Sequence, residues 1–151
     1  WAIEVLKKKG YKYDSSIFPV KNKLYGLNGA PLEIYRPSLI DLKKSDPEFD
    51  FLEFPLAVYN FHWIRIPVAG GFYFRFMPLF LFKKLLKNIN KYRPFVFYLH
   101  PWESCSRTPR IKGLSVVDYF ISYWGISGVL KKLEDLLKSF SFRPICEVLG
   151  V

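Results

Sequence analysis

Two cysteines and two histidines are nearly all that this chain of 151 residues offers for covalent cross-links or soft-metal chemistry. Cys105 and Cys146 are too few for a disulfide framework and have no CxxC spacing, so they fit a reducing compartment, and a cytoplasmic location is expected. No apolar run reaches the roughly 20 residues that a membrane-spanning helix needs. The best stretch, 72–86, is interrupted by Arg75, Pro78, Lys83 and Lys84. There is no internal repeat, no low-complexity segment, and no recognition-helix or base-stacking signature, so nucleic acid is not an expected partner.

What is present is apolar bulk. Half of the residues are hydrophobic and 19% are aromatic, which excludes disorder and supports one domain with a substantial core. The net charge of +10 raises the prospect of a polyanionic partner. The lysines, however, fall on the polar faces or ends of expected helices, at 7–9, 83–84, 87 and 131–132, where solvated helix surface is the simpler reading. Helical patterning starts at Trp1 with no capping residue before it, so the chain is expected to be a piece of a longer protein.

Periodicity of 3.6 residues predicts helices over 1–9, 78–91 and 127–139. Gly10 stands where a terminating glycine belongs, Pro78 suits a first turn, and Ser127 is the expected N-cap of the last helix. Strand-like runs lie at 11–18, at 52–59 and 61–68 around a turn at Asn60, at 95–99, and at 144–148. The segments 31–47 and 103–113 read as loops. Strands alternating with helices imply an α/β fold that includes some antiparallel pairing.

The run Pro94-Phe95-Val96-Phe97-Tyr98-Leu99 ends on His100. Pro101 disfavours a helical conformation for His100, so the imidazole is expected at the carboxyl end of an extended segment, where α/β folds place ligands. Imidazole titrates near neutral pH and suits proton transfer; a satisfied core histidine is the competing reading. His62, in Phe61-His62-Trp63, has no ligand-like partner and reads as structural or surface.

The segment Gly10-Tyr11-Lys12-Tyr13-Asp14-Ser15-Ser16-Ile17-Phe18-Pro19 resembles a block of polysaccharide deacetylases of the NodB-homology family. Leu52-Glu53-Phe54-Pro55, Pro67-Val68-Ala69-Gly70-Gly71-Phe72-Tyr73-Phe74-Arg75 and Tyr98-Leu99-His100-Pro101-Trp102-Glu103 resemble further blocks of its exopolysaccharide-locus branch, in family order. The resemblance implies a distorted (β/α) barrel and metal-dependent hydrolysis of acetamido groups on N-acetylhexosamine units of a polysaccharide. It also implies that this chain is the carboxyl-terminal half. The family's Asp-Asp and HxxxH blocks lie upstream of Trp1, and no HxxxH occurs here. A divalent metal, expected to be zinc, would therefore take its ligands from the missing amino-terminal half. The fragment alone is expected to be inactive and poorly soluble, because half a barrel leaves strand edges uncovered.

By the same resemblance His100 is the proton donor of a strand-end LxH motif, with Tyr98 in place of the usual apolar residue. Asp14 matches the aspartate that tunes that histidine; a local Asp-Ser turn is the alternative. Trp102 offers an apolar wall for a sugar face, or buried packing. Glu103 offers an acceptor for a sugar hydroxyl, or an ion-pair partner for the many lysines. Arg75, after the Gly70-Gly71 turn that permits close backbone approach, suits the carboxylate of an acidic sugar or, preferably, of a protein neighbour. A non-catalytic carbohydrate-binding domain and a basic binder of anionic polymers remain as alternatives for the whole chain.

Overall fold

The computed structural model describes residues 1–21 and 25–151. They form a mixed α/β arrangement of helices around two small two-stranded sheets. Helix α1, Ala2–Lys8, ends in a turn that Gly10 completes at φ 86°, a conformation that suits glycine. Of the expected strand over 11–18 only β1, Tyr13–Asp14, is regular; it pairs in parallel with β2, Leu52–Glu53. β3, Val58–Phe61, and β4, Ile64–Pro67, form an antiparallel hairpin. Its turn falls on His62-Trp63 rather than on Asn60, which lies inside β3 opposite Arg65. His62 adopts φ 53°, a region His tolerates better than branched residues do, and its ring is exposed.

Two short helices, α2 (Gly71–Phe76) and α4 (Val116–Tyr123), lie where the sequence suggested none. α2, Gly71–Phe76, follows directly from Gly70. α3, Leu79–Asn90, starts after Pro78, which occupies the N-cap. Phe82, Leu85, Leu86 and Ile89 form its buried stripe as the spacing predicts, whereas Leu81 faces outward. α4, Val116–Tyr123, is capped by Ser115, whose Oγ accepts from the Asp118 amide at 3.1 Å and donates to Asp118 Oδ2 at 2.7 Å. α5, Val129–Leu137, begins after a 3₁₀ turn at Ile126–Gly128, so the cap is Gly128 and not Ser127. Within α5 Val129 and Leu136 are buried, while Leu130 and Leu137 are exposed.

Two expected strands are corrected. Residues 95–99 are extended, but only Val96 makes a bridge, parallel to Leu56, with the Ala57 amide donating to its carbonyl at 3.2 Å. Residues 144–148 are not a strand: Pro144 caps α6, Ile145–Leu149, consistent with proline's fit to a helix start. The main core joins the hairpin to α2, α3 and α5 through Val58, Val68, Phe74, Phe82, Leu86 and Leu136. Fully burying one such side chain contributes roughly 1.5–3 kcal/mol. A second cluster packs α1 against the 17–51 region through Ile3, Ile17, Tyr35 and Phe51. Among the described residues no helix is long and apolar enough to cross a membrane.

Candidate functional site

His100 ends the extended segment with φ −81° and ψ 141°, and the 3₁₀ turn Pro101–Ser104 follows at once. Proline after His100 enforces that extended backbone. Glu103 then fixes the corner from both sides. Its amide donates to the His100 carbonyl at 2.9 Å, and its Oε2 accepts from the His100 amide at 3.0 Å. The imidazole itself projects outward and is exposed. Tyr98 meets it edge-on at 5.5 Å, and Trp102 lies nearly parallel to it at 6.1 Å and 11°.

Two cavities meet at this corner. The larger, about 760 Å³, is mostly apolar, walled by Ile17, Phe18, Leu56, Phe97 and Tyr98 with Ser15 and Ser16 at its edge. The smaller, about 390 Å³, is bounded by Phe72, Trp102, Ile121, Arg75 and Glu103. Tyr25, Tyr98 and His100 border both, which makes them the partition between the two. Burial pushes the Tyr98 phenol above its ordinary range, with Tyr25, Glu103 and Tyr73 adding to the effect, so it stays neutral and available as a donor.

Glu103 is buried at 3% exposure and pairs with Arg75, itself 4% exposed, through Arg75 NH2 and Glu103 Oε1 at 3.1 Å. The two terminal nitrogens of the guanidinium also donate to the carboxyl end of α4, to the carbonyls of Ile121 at 2.9 Å, Trp124 at 2.6 Å and Ser122 at 3.3 Å, whereas its buried Nε has no partner among the described residues. Those carbonyls are orphaned by the end of the helix, and a cation is well placed there. Arg75 therefore engages a protein carboxylate, and Glu103 is an ion-pair partner of an arginine rather than of a lysine. Both are occupied as supports behind His100.

The Gly70-Gly71 pair makes this packing possible. A Cβ on Gly71 would fall 1.9 Å from Glu103 Oε2. Gly70 adopts φ 84°, and a Cβ there would lie 2.9 Å from the Tyr98 hydroxyl. Lys132, from α5, closes the other end of α2 by donating to the carbonyls of Phe74, Arg75 and Met77 at 3.3, 2.9 and 3.1 Å.

Asp14 stands apart from His100. Its carboxylate accepts a short hydrogen bond from the Ser16 hydroxyl, and among the described residues no hydrogen bond joins it to the imidazole. It borders the site through Ser15 and Ser16, which line the larger cavity, while Ser15 Oγ donates to the Phe54 carbonyl at 2.7 Å. Trp102, 42% exposed, is neither fully buried nor free: one face looks to His100 and the Arg75 guanidinium sits 5.8 Å from its ring centre.

One carboxylate escaped sequence reasoning. Glu53 is wholly buried, and its Oε1 accepts from the Ile17 amide at 2.9 Å, pinning the wall of the larger cavity. Among the described residues its Oε2 has no partner. Burial raises it to about 7, Asp14 adds to the rise, and the Ile17 and Ser16 amides oppose it. The available signal was an acid inside an apolar strand block, Leu52-Glu53-Phe54-Pro55.

Among the described residues no three of His, Cys, Asp and Glu come together to hold a metal ion. The resemblance assigns the ligands of its divalent metal to an upstream half, so none of the side chains assembled here is given that role.

Residues 15–150 match the family described as a domain of unknown function, DUF3473. The chain belongs to that family. No curated protein and no solved structure matches it. The DUF3473 region takes in the Gly70-Gly71 pair, the Arg75–Glu103 ion pair and the His100 corner.

Proposed function

We propose that this DUF3473 chain is the carboxyl-terminal part of a polysaccharide N-deacetylase with the NodB-type distorted (β/α) barrel, acting on N-acetylated hexosamine units in exopolysaccharide synthesis or modification. The observation that carries the reading is His100: an exposed imidazole at the junction of two cavities, on a backbone corner locked by a buried carboxylate. The ordered blocks around Asp14, Glu53, Gly70-Gly71 and His100 supply the family context.

Amide hydrolysis breaks a C–N bond, and the departing amine needs a proton. His100 in its imidazolium form donates that proton from a ring nitrogen to the sugar nitrogen. Trp102 gives an apolar face beside it and restricts the imidazole's rotation. Glu103 and Arg75 act as positioning residues, because they fix the His100 backbone and not its ring. Asp14 holds the Ser15-Ser16 edge of the cavity through its hydrogen bond with Ser16. Water activation is assigned to no residue of this chain, and no step here runs through a metal.

The test is acetate release from poly-N-acetylglucosamine by the protein expressed from its complete reading frame. His100→Ala is expected to lower kcat by about 10²–10⁴-fold, the usual worth of a general acid. Undiminished turnover in that variant overturns the assignment. A second reading, a non-catalytic carbohydrate-binding domain, is favoured by the exposed Trp102 and Trp63; it predicts glycan binding with no acetate release.

A further inference from the structure

Helix α4 turns most of its apolar side chains to solvent, with Asp118 as its one charged residue. Val116 is 87% exposed, Val117 65% and Ile121 43%, on a helix whose sequence is VVDYFISY. The patch continues beyond α4. Phe120 contacts Phe76 of α2 at 6.4 Å and Trp124 at 5.0 Å, and all three are exposed. On the other flank the 109–111 loop is fastened to α4, with the Ile111 amide donating to the Tyr123 hydroxyl at 3.0 Å and the Arg110 guanidinium 4.3 Å from the Tyr123 ring centre. Ile111, 63% exposed, therefore joins the same apolar surface. A monomeric protein rarely leaves so continuous an apolar area in water.

Basic residues outnumber acidic ones in this stretch of the chain. Between Ser104 and Leu133 the only acidic residue is Asp118, which is engaged with Ser115, whereas Arg107, Arg110, Lys112 and Lys131 are all exposed. Exposed aliphatic and aromatic side chains flanked in the sequence by exposed arginine and lysine, with Arg110 packed on α4 itself, match the apolar boundary and anionic headgroups of a bilayer surface. A protein partner would require a complementary apolar face with acidic rim; a bilayer of acidic phospholipid supplies both features without shape matching. We propose that α4 and the 107–112 loop form a docking surface for an anionic lipid membrane. The surface lies next to the His100 corner, since Ile121 borders the smaller cavity. Docking would hold that cavity at the membrane plane. The proposal does not depend on the deacetylase reading.

The experiment is co-sedimentation of the protein, expressed from its complete reading frame, with vesicles of phosphatidylcholine alone or with one-third phosphatidylglycerol. Each basic side chain near an acidic surface is worth roughly fivefold in partitioning, so three engaged residues give about a hundredfold preference for the acidic vesicles, falling as salt rises. Val116→Glu/Val117→Glu is expected to abolish sedimentation. Both positions lie in the first turn of α4, where carboxylates favour the helix, so the fold should persist and circular dichroism should be unchanged. Arg107→Glu/Lys112→Glu should remove the preference for acidic vesicles while leaving weak binding to neutral ones. Failure to sediment with acidic vesicles, equal binding to both compositions, or binding unaffected by Val116→Glu/Val117→Glu overturns the proposal. So does a dimer in light scattering that the Val116→Glu/Val117→Glu variant dissociates, because a second copy would then be the occupant.

Discussion

Arg75 and Glu103 form a buried ion pair at 3.1 Å directly behind His100, tying α2, the end of α4 and the His100 corner into one unit. Breaking such a pair from one side is costly, because the remaining charge stays buried without a partner. Arg75→Met is therefore expected to destabilise the chain by about 3–5 kcal/mol. Arg75→Lys keeps the charge but loses the fork that reaches Glu103 and three carbonyls at once, and should recover only part of that loss. Replacing both partners, Arg75→Met with Glu103→Leu, should cost less than the single Arg75 change. Urea midpoints of the three variants check this; a double variant at least as unstable as Arg75→Met would refute the shared burden.

Gly71 gives the second prediction. An added methyl would lie 1.9 Å from Glu103 Oε2, so Gly71→Ala must displace the carboxylate that holds His100. The contrast is Gly113→Ala: φ is 83° there, but the space is open, so only the backbone penalty of about 1–2 kcal/mol applies. Gly71→Ala should exceed that value in the wild-type background and cost much less once Glu103→Ala has removed the obstructing group. Equal costs in the two backgrounds, measured by chemical denaturation, would contradict the packing described.

Parts of this arrangement were legible beforehand. α1, α3 and α5 alternate lysine with leucine or phenylalanine at helical spacing, and the period shows. Pro101 dictated the extended His100 backbone, and Gly70-Gly71 signalled a close approach. α2 and α4 were missed because GFYFRF and VVDYFISY carry almost no polar contrast, although Ser115 and Asp118 stand at capping-box spacing. The runs at 95–99 and 144–148 illustrate the ambiguity of short apolar stretches: one is held by a single bridge, and the other turns helical after Pro144. The Arg75–Glu103 pair joins residues 28 apart, and Glu53 hides under residues 36 away; such partners follow from tertiary packing and have no local pattern.

Glu53 sets a pH dependence of stability. Its folded-state value, about 7, lies above the ordinary 4.5, so the native state holds a proton that the unfolded chain has released. The associated stability is fully present below about pH 4.5 and is lost as pH rises through about 7. The difference corresponds to about 3 kcal/mol. Glu53→Gln keeps an oxygen acceptor for the Ile17 amide and carries no charge. It should be more stable than wild type at about pH 8 and nearly equal to it at about pH 5. Thermal or urea unfolding at the two pH values decides the matter; the same gap at both would remove Glu53 as its source.

Lys132 tests how α2 is held. Its ammonium donates to three carbonyls at the end of that helix, and burial lowers its proton affinity. Lys132→Met retains the apolar stem but leaves those acceptors unserved, at a cost of about 1–3 kcal/mol. Because α2 carries Arg75, the loss should also loosen the His100 corner, read as faster amide exchange at Glu103 in the Lys132→Met protein. Unchanged exchange there would show that α2 and the corner are not mechanically linked.

Trp102 separates catalysis from simple glycan binding. Its ring lies 6.1 Å from that of His100 and nearly parallel to it, so under the proposed deacetylase reading one indole would serve as both a wall for a sugar and a restraint on the imidazole. If it only binds sugar, Trp102→Ala should raise KM or weaken glycan affinity by about tenfold and leave kcat unchanged, since binding lost equally from ground and transition states does not alter turnover. If it also restrains the proton donor, kcat falls as well, and Trp102→Phe, which keeps a flat apolar ring, restores most of it. The deacetylase reading predicts the second pattern in acetate-release kinetics with the polymeric substrate. A kcat insensitive to Trp102→Ala would leave the indole with binding alone, and His100 would then owe its orientation to Tyr98.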